Sequence, residues 1–113
     1  MGKATWSLLT PPYQGAISII QLEGDVDSEL SRLTNRSAWV QGTLHLVTIQ
    51  DIDEAICVKL NKTLALIMPH GGTHILRKLG KRFEELGIQR AGNPSYPEAR
   101  DEIEIAMLQT LSI

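Results

Sequence analysis

The chain has 113 residues, 42% of them apolar and 21% charged, with a formal net charge of -2. That length allows one core burying about two-thirds of the unfolded chain's surface, and the composition is too apolar for a disordered segment. A small net negative charge gives no global reason to bind nucleic acid, so any basic site must be local. The single cysteine, Cys57, excludes an intrachain disulfide and fits a reducing compartment. No run approaches the roughly 20 apolar residues that cross a bilayer, and no signal peptide opens the chain. The expectation is one cytoplasmic domain spanning residues 1–113, with no membrane partner.

In chain order, residues 4–9 read as a strand, and Thr10-Pro11-Pro12-Tyr13-Gln14-Gly15 forces a loop before a second apolar run over residues 16–22. In that run Ile20 breaks strict alternation, which predicts a mostly buried strand. Gly24 ends it, and Asp25 can cap a short helix to about Arg32, with Val26, Leu30 and Leu33 as its apolar stripe. Residues 35–41 form a polar connection carrying Trp39, and residues 42–49 read as another strand on Leu44, Leu46 and their β-branched neighbours. After a turn at residues 51–53, two apolar runs over 55–60 and 63–68 flank Asn61-Lys62 and predict a hairpin. The clearest helix covers residues 73–86, where Ile75, Leu76, Leu79, Phe83 and Leu86 keep helical spacing and Gly87 is the stop signal. Residues 88–90 suggest a short strand. A last helical pattern opens at Pro97 and includes Ile103, Ala106, Met107 and Leu111. It reaches Ile113 without a stop signal, so the expectation is a piece of a longer protein whose final turns fray.

Four stretches, Thr10 to Gly24, residues 64–86, residues 91–100 and Ile103-Glu104-Ile105-Ala106, together resemble the amino-terminal domain of the MnmE/TrmE family of tRNA-modification GTPases. That family opens with a strand, a Thr-Pro-Pro-Gly-x-Gly loop and an apolar strand ending in Arg-Leu/Ile-Ser-Gly; here Thr10 to Gly15 leads into Ala16-Ile17-Ser18-Ile19-Ile20-Gln21-Leu22-Glu23-Gly24. The family's apolar strand, Gly-His-Gly-Gly and long helix are matched in order by residues 64–69, His70-Gly71-Gly72 and residues 73–86. Residues 91–100 resemble a shortened Arg-Pro-Gly-Glu-Phe segment, and Ile103-Glu104-Ile105-Ala106 resembles the Leu-Asp-Leu-Ala opening of the family's central helical region.

The resemblance implies an α+β fold of TrmE N-terminal-domain type that forms a homodimer and binds 5-formyl-tetrahydrofolate. GTP would be bound only by a region absent from this chain, and tRNA would be met only through the full-length protein. A mostly antiparallel or mixed sheet of about five strands with about three helices is expected. By the same resemblance the ligand site draws on Gly15, Gln21, Leu66, His70, Gly71, Gly72 and Glu102. Three of these depart from the family: Gln21 stands where it has an arginine, Leu66 where it has a glutamate, and Glu102 near its lysine or arginine. Gln21 carries no charge and cannot pair bidentately with a carboxylate. The family's Pro-Asn-Ser-Phe/Tyr-Thr-Gly-Glu-Asp loop is replaced by the tight Asn61-Lys62 connection.

Each remaining feature has a functional and a structural reading. His70-Gly71-Gly72 before a helix can offer N–H groups to an anion, or be a turn needing glycine torsions. Leu79-Gly80-Lys81-Arg82 lacks the spacing and the Ser/Thr of a phosphate loop, so this chain should not hydrolyse GTP. His45, His70 and His74 lack the spacing of a metal site, Cys57 reads as a small core residue, and no nucleophile, base and acid show catalytic spacing. Arg77, Lys78, Lys81 and Arg82 form a basic cluster that could meet RNA phosphates, but Glu84 and Glu85 beside it and the acidic chain favour an ordinary solvated face. Trp6, Trp39 and the edge of the second strand are the candidate interface.

Two functions compete. One is a dimerising, regulatory domain of a TrmE-like GTPase with a degenerate folate site. The other is an intact module presenting 5-formyl-tetrahydrofolate for tRNA wobble-uridine modification. A third, an independent small enzyme, has no motif behind it.

Overall fold

The computed structural model describes residues 4–9, 18–70 and 72–91. In chain order these form strands β1 (Thr5–Leu8) and β2 (Ile20–Glu23), helix α1 (Val26–Leu33), strands β3 (Leu44–Ile49), β4 (Asp53–Asn61) and β5 (Leu64–Pro69), helix α2 (Thr73–Glu85) and strand β6 (Gln89–Arg90). The fold is α+β, with one sheet in the order β3-β4-β5-β2-β1-β6. Only β1 and β6 run parallel; every other neighbouring pair is antiparallel. The sheet is therefore mixed and has six strands where about five were expected. The last helical pattern, from Pro97, lies outside the described residues.

Both described helices form where their apolar spacing places them. On α1, Val26, Leu30 and Leu33 are wholly buried, and the Asp25 carboxylate accepts the Ser28 N–H at 3.4 Å, satisfying one of the free donors of the first turn. On α2, Leu79 and Phe83 are wholly buried. Its end follows the Schellman pattern: Gly87 N–H donates to Glu84 O at 3.0 Å and Ile88 N–H to Phe83 O at 2.8 Å. This requires the φ of 79° at Gly87, a torsion glycine adopts freely. Ile88 then returns to the core beside Phe83.

The main core lies between the helices and one face of the sheet. Trp6, Ile20, Leu22, Cys57, Ala65 and Ile67 meet Val26, Leu30, Leu79 and Phe83 there, and the Trp6 and Phe83 rings are 5.0 Å apart. A second cluster, Ile19, Val58 and Leu66, occupies the opposite face with Leu9, Leu44, Leu60 and Met68 around it. β5 is thus buried on both faces, which is why its sequence is a continuous apolar run without alternation.

The β4–β5 hairpin was expected at Asn61-Lys62; β4 continues through Asn61 and the connection is Lys62-Thr63. Neither residue has a positive φ, so this is not the mirror-image turn whose twist suits a two-residue hairpin. A register shift between Lys59 and Asn61 accompanies it, a bulge that lets the strands rejoin. The Asn61 side-chain oxygen accepts both the Thr63 N–H (2.9 Å) and its hydroxyl (3.1 Å). The second strand was also expected to begin at residue 16; the described strand starts at Ile20, although Leu9 N–H to Ile19 O (2.8 Å) and Ser18 N–H to Pro69 O (3.2 Å) continue its pairing.

Candidate functional site

Of the seven residues singled out as ligand contacts, Gly15, Gly71 and Glu102 lie outside the described residues. Gln21 and Leu66, 45 positions apart in the chain, are brought together. β2 and β5 pair so that they are direct cross-strand partners, and Ser7 pairs with Gln21 on the other side. This row faces away from the helices, with Gln21 at 1% exposure and Leu66 at 0%. The Gln21 amide donates to Glu23 Oε1 at 3.2 Å, two residues along the same face. Its carbonyl oxygen is, among the described residues, the one buried side-chain polar atom with no hydrogen-bond partner. An isolated buried acceptor costs free energy, about 1–3 kcal/mol in mutational series.

His70 and Gly72 sit elsewhere. The period of two puts Leu66, Met68 and His70 on one face, but four residues of strand separate Leu66 from His70 by about 13 Å. Asp53, at the start of β4, holds His70 twice: its carboxylate accepts the His70 backbone N–H at 2.8 Å and lies 3.0 and 3.1 Å from Nδ1. The imidazole is 75% exposed while the Asp53 side chain is only 13% exposed. Gly72, φ 120°, occupies the cap position of α2 with no side-chain cap bond. His70 borders a hollow of about 230 Å³ formed with Leu46, Glu54, Ile56, Met68 and Pro69. What ties His70 here is a structural staple between hairpin and helix, and sequence reading missed its partner because Asp53 reads as an ordinary turn residue.

The other candidates disperse. His45 is buried, its Nε2 accepts the Val40 N–H at 3.3 Å, and its ring meets Trp39 edge-on. Burial first, then the Arg36 charge, pushes its pKa below 6.5. His74 is exposed on α2, and no group of three or more metal-ligating side chains occurs among the described residues. Cys57 is fully buried in β4, and burial pushes its thiol up to about 12, the opposite of what a nucleophile needs. Arg77, Lys78 and Lys81 are exposed on α2, and Arg82 turns to Asp51 at 3.2 Å.

The interface expectation needs correcting in two respects. Trp6 is a core residue at 8% exposure, and β2 has no open edge because β5 and β1 flank it. Among the described residues the edge strands are β3 and β6. Trp39 is half-buried, its indole N–H donating to the Ser31 hydroxyl at 3.2 Å.

Fold and site together define an α+β sheet domain with both described helices on one face and a neutral buried pair, Gln21 and Leu66, at the centre of the other. No protein-family model matches the chain, and a search of curated proteins returns no match.

Proposed function

We propose that this chain is a dimerising, regulatory domain of the TrmE N-terminal type, belonging to a tRNA-modification GTPase, in which the tetrahydrofolate site has lost its charged contacts. One observation carries the reading: the two positions equated by resemblance with the family's strand arginine and glutamate, Gln21 and Leu66, are direct register partners. An arginine and a glutamate facing each other there could pair with each other or with a polar ligand. A glutamine and a leucine form neither ion pair. The order of elements is compatible, since β1 and β2 flank the Thr10 to Gly15 stretch and β5 leads through His70 and Gly72 into α2. In this reading GTP and tRNA are handled by other parts of the whole protein.

The buried, unpartnered Gln21 oxygen favours the second reading, an intact one-carbon module, because a ligand N–H could satisfy it. Titration calorimetry with 5-formyl-tetrahydrofolate separates the two. No saturable heat is expected at micromolar ligand. Saturable binding that disappears in Gln21→Met would instead establish the intact module.

A further inference from the structure

From the β3 edge of the sheet we infer an interaction surface for a second copy of this chain, joined through antiparallel pairing of β3 with its counterpart. The inference rests on the dimerising-module reading above and names the surface that does it. Among the described residues the two large apolar side chains left exposed are Leu46 (72%) and Val40 (59%). Leu46 is on β3, and Val40 is in the loop leading into it, its carbonyl accepting the Thr43 N–H at 3.2 Å. Exposed apolar surface is thus concentrated at one sheet edge.

Among the described residues no strand pairs with the outer edge of β3. Thr48 N–H points away from β4, because it donates to the Asn35 side chain at 3.1 Å. By the strand period of two, Leu46 turns its own N–H and C=O the same way. β3 carries none of the usual protections of an edge: its sequence has no proline or lysine, and its register with β4 is regular throughout. Asn35 closes the ladder at Thr48, so pairing is short and centred on Leu46.

Three features select a second copy over an unrelated strand. An antiparallel pair related by a two-fold axis through Leu46 sets the strand against itself, so one surface supplies both halves. β3 bears no Asp, Glu, Lys or Arg, and its one titratable residue, His45, is turned into the core, so two copies meet without like-charge repulsion. Leu46, Ile56 and Met68 are in register on one face. Joining the edges would continue that apolar strip directly into the same three residues of the second copy.

The experiment is sedimentation velocity on the full 113-residue chain across a micromolar range, alongside amide exchange at Leu46. We expect a dimer, and Leu46 protection that rises with concentration. Leu46→Lys should be monomeric with unchanged circular dichroism, and Leu46→Thr, which retains strand preference, should weaken association at least tenfold. A wild-type dimer that both variants leave intact overturns the β3 edge while the dimerising reading stands. A monomeric wild type overturns both. Leu46 protection that is independent of concentration would show that the chain closes this edge itself, which also overturns the proposal.

Discussion

Cys57 and His45 are adjacent in register across β3 and β4, and burial moves their pKa values in opposite directions. For Cys57 the folded thiol holds its proton to about 12 against an ordinary 9.0. The corresponding stability is fully present below pH 9 and is lost as pH rises toward the folded value, with an upper limit of about 4 kcal/mol. For His45, lowered by burial and then by Arg36, stability is complete above pH 6.5 and falls as acid drives the ring to charge. We predict that the urea midpoint declines on both sides of this window, that Cys57→Ala flattens the alkaline limb, and that iodoacetamide labels the native protein at pH 8 only through unfolding. Ready labelling under native conditions would contradict the burial of Cys57.

At the scale of elements, two glycines show how the same change can act with opposite sign. Gly80 lies inside α2, where glycine costs about 1 kcal/mol relative to alanine, and an added Cβ would meet Trp6 Cζ2 at 3.6 Å, an ordinary contact. Gly80→Ala should therefore stabilise by about 0.5–1 kcal/mol. Gly24 joins β2 to α1 at φ 131°, and a Cβ there would stand 2.8 Å from Ala4 Cα. Because the obstacle is backbone, Gly24→Ala should destabilise by about 2 kcal/mol or more. Thermal melts of both variants test the pair, and a lower melting temperature for Gly80→Ala would mean that Trp6 cannot admit the methyl group.

For the whole molecule, the sheet order sets a gradient of stability. β5 and β2 are flanked by strands on both sides and have buried residues on both faces, whereas β6 has two residues, both exposed. Opening β5 would break the ladder at its centre; opening β6 would break only its end. Among amides paired within the sheet, native-state exchange should therefore be slowest at Ala65, Ile67, Ile20 and Leu22 and faster at Gln89, whose N–H donates to Ala4 O at 3.0 Å. Equal protection of β6 and β5 would contradict this sheet order.

Periodicity and stop signals determined the local elements. The stripes of α1 and α2, the Gly87 stop, the unbroken apolar run of β5 and the hairpin that precedes it are written in spacings of a few residues, so the chain displays them directly even though distant contacts bury them. The candidate site was readable only as separate residues. Pairing Thr5 with Gln89, Gln21 with Leu66 and Asp53 with His70 joins distant segments, and such closures are chosen by which faces can be buried together. The same choice decided the sides of β3: His45, Val47 and Ile49 turn inward, and Leu46, an expected strand residue with no local sign of its orientation, is left in solvent. Alternation says that neighbouring side chains oppose one another, but only the packed helices decide which side is the core.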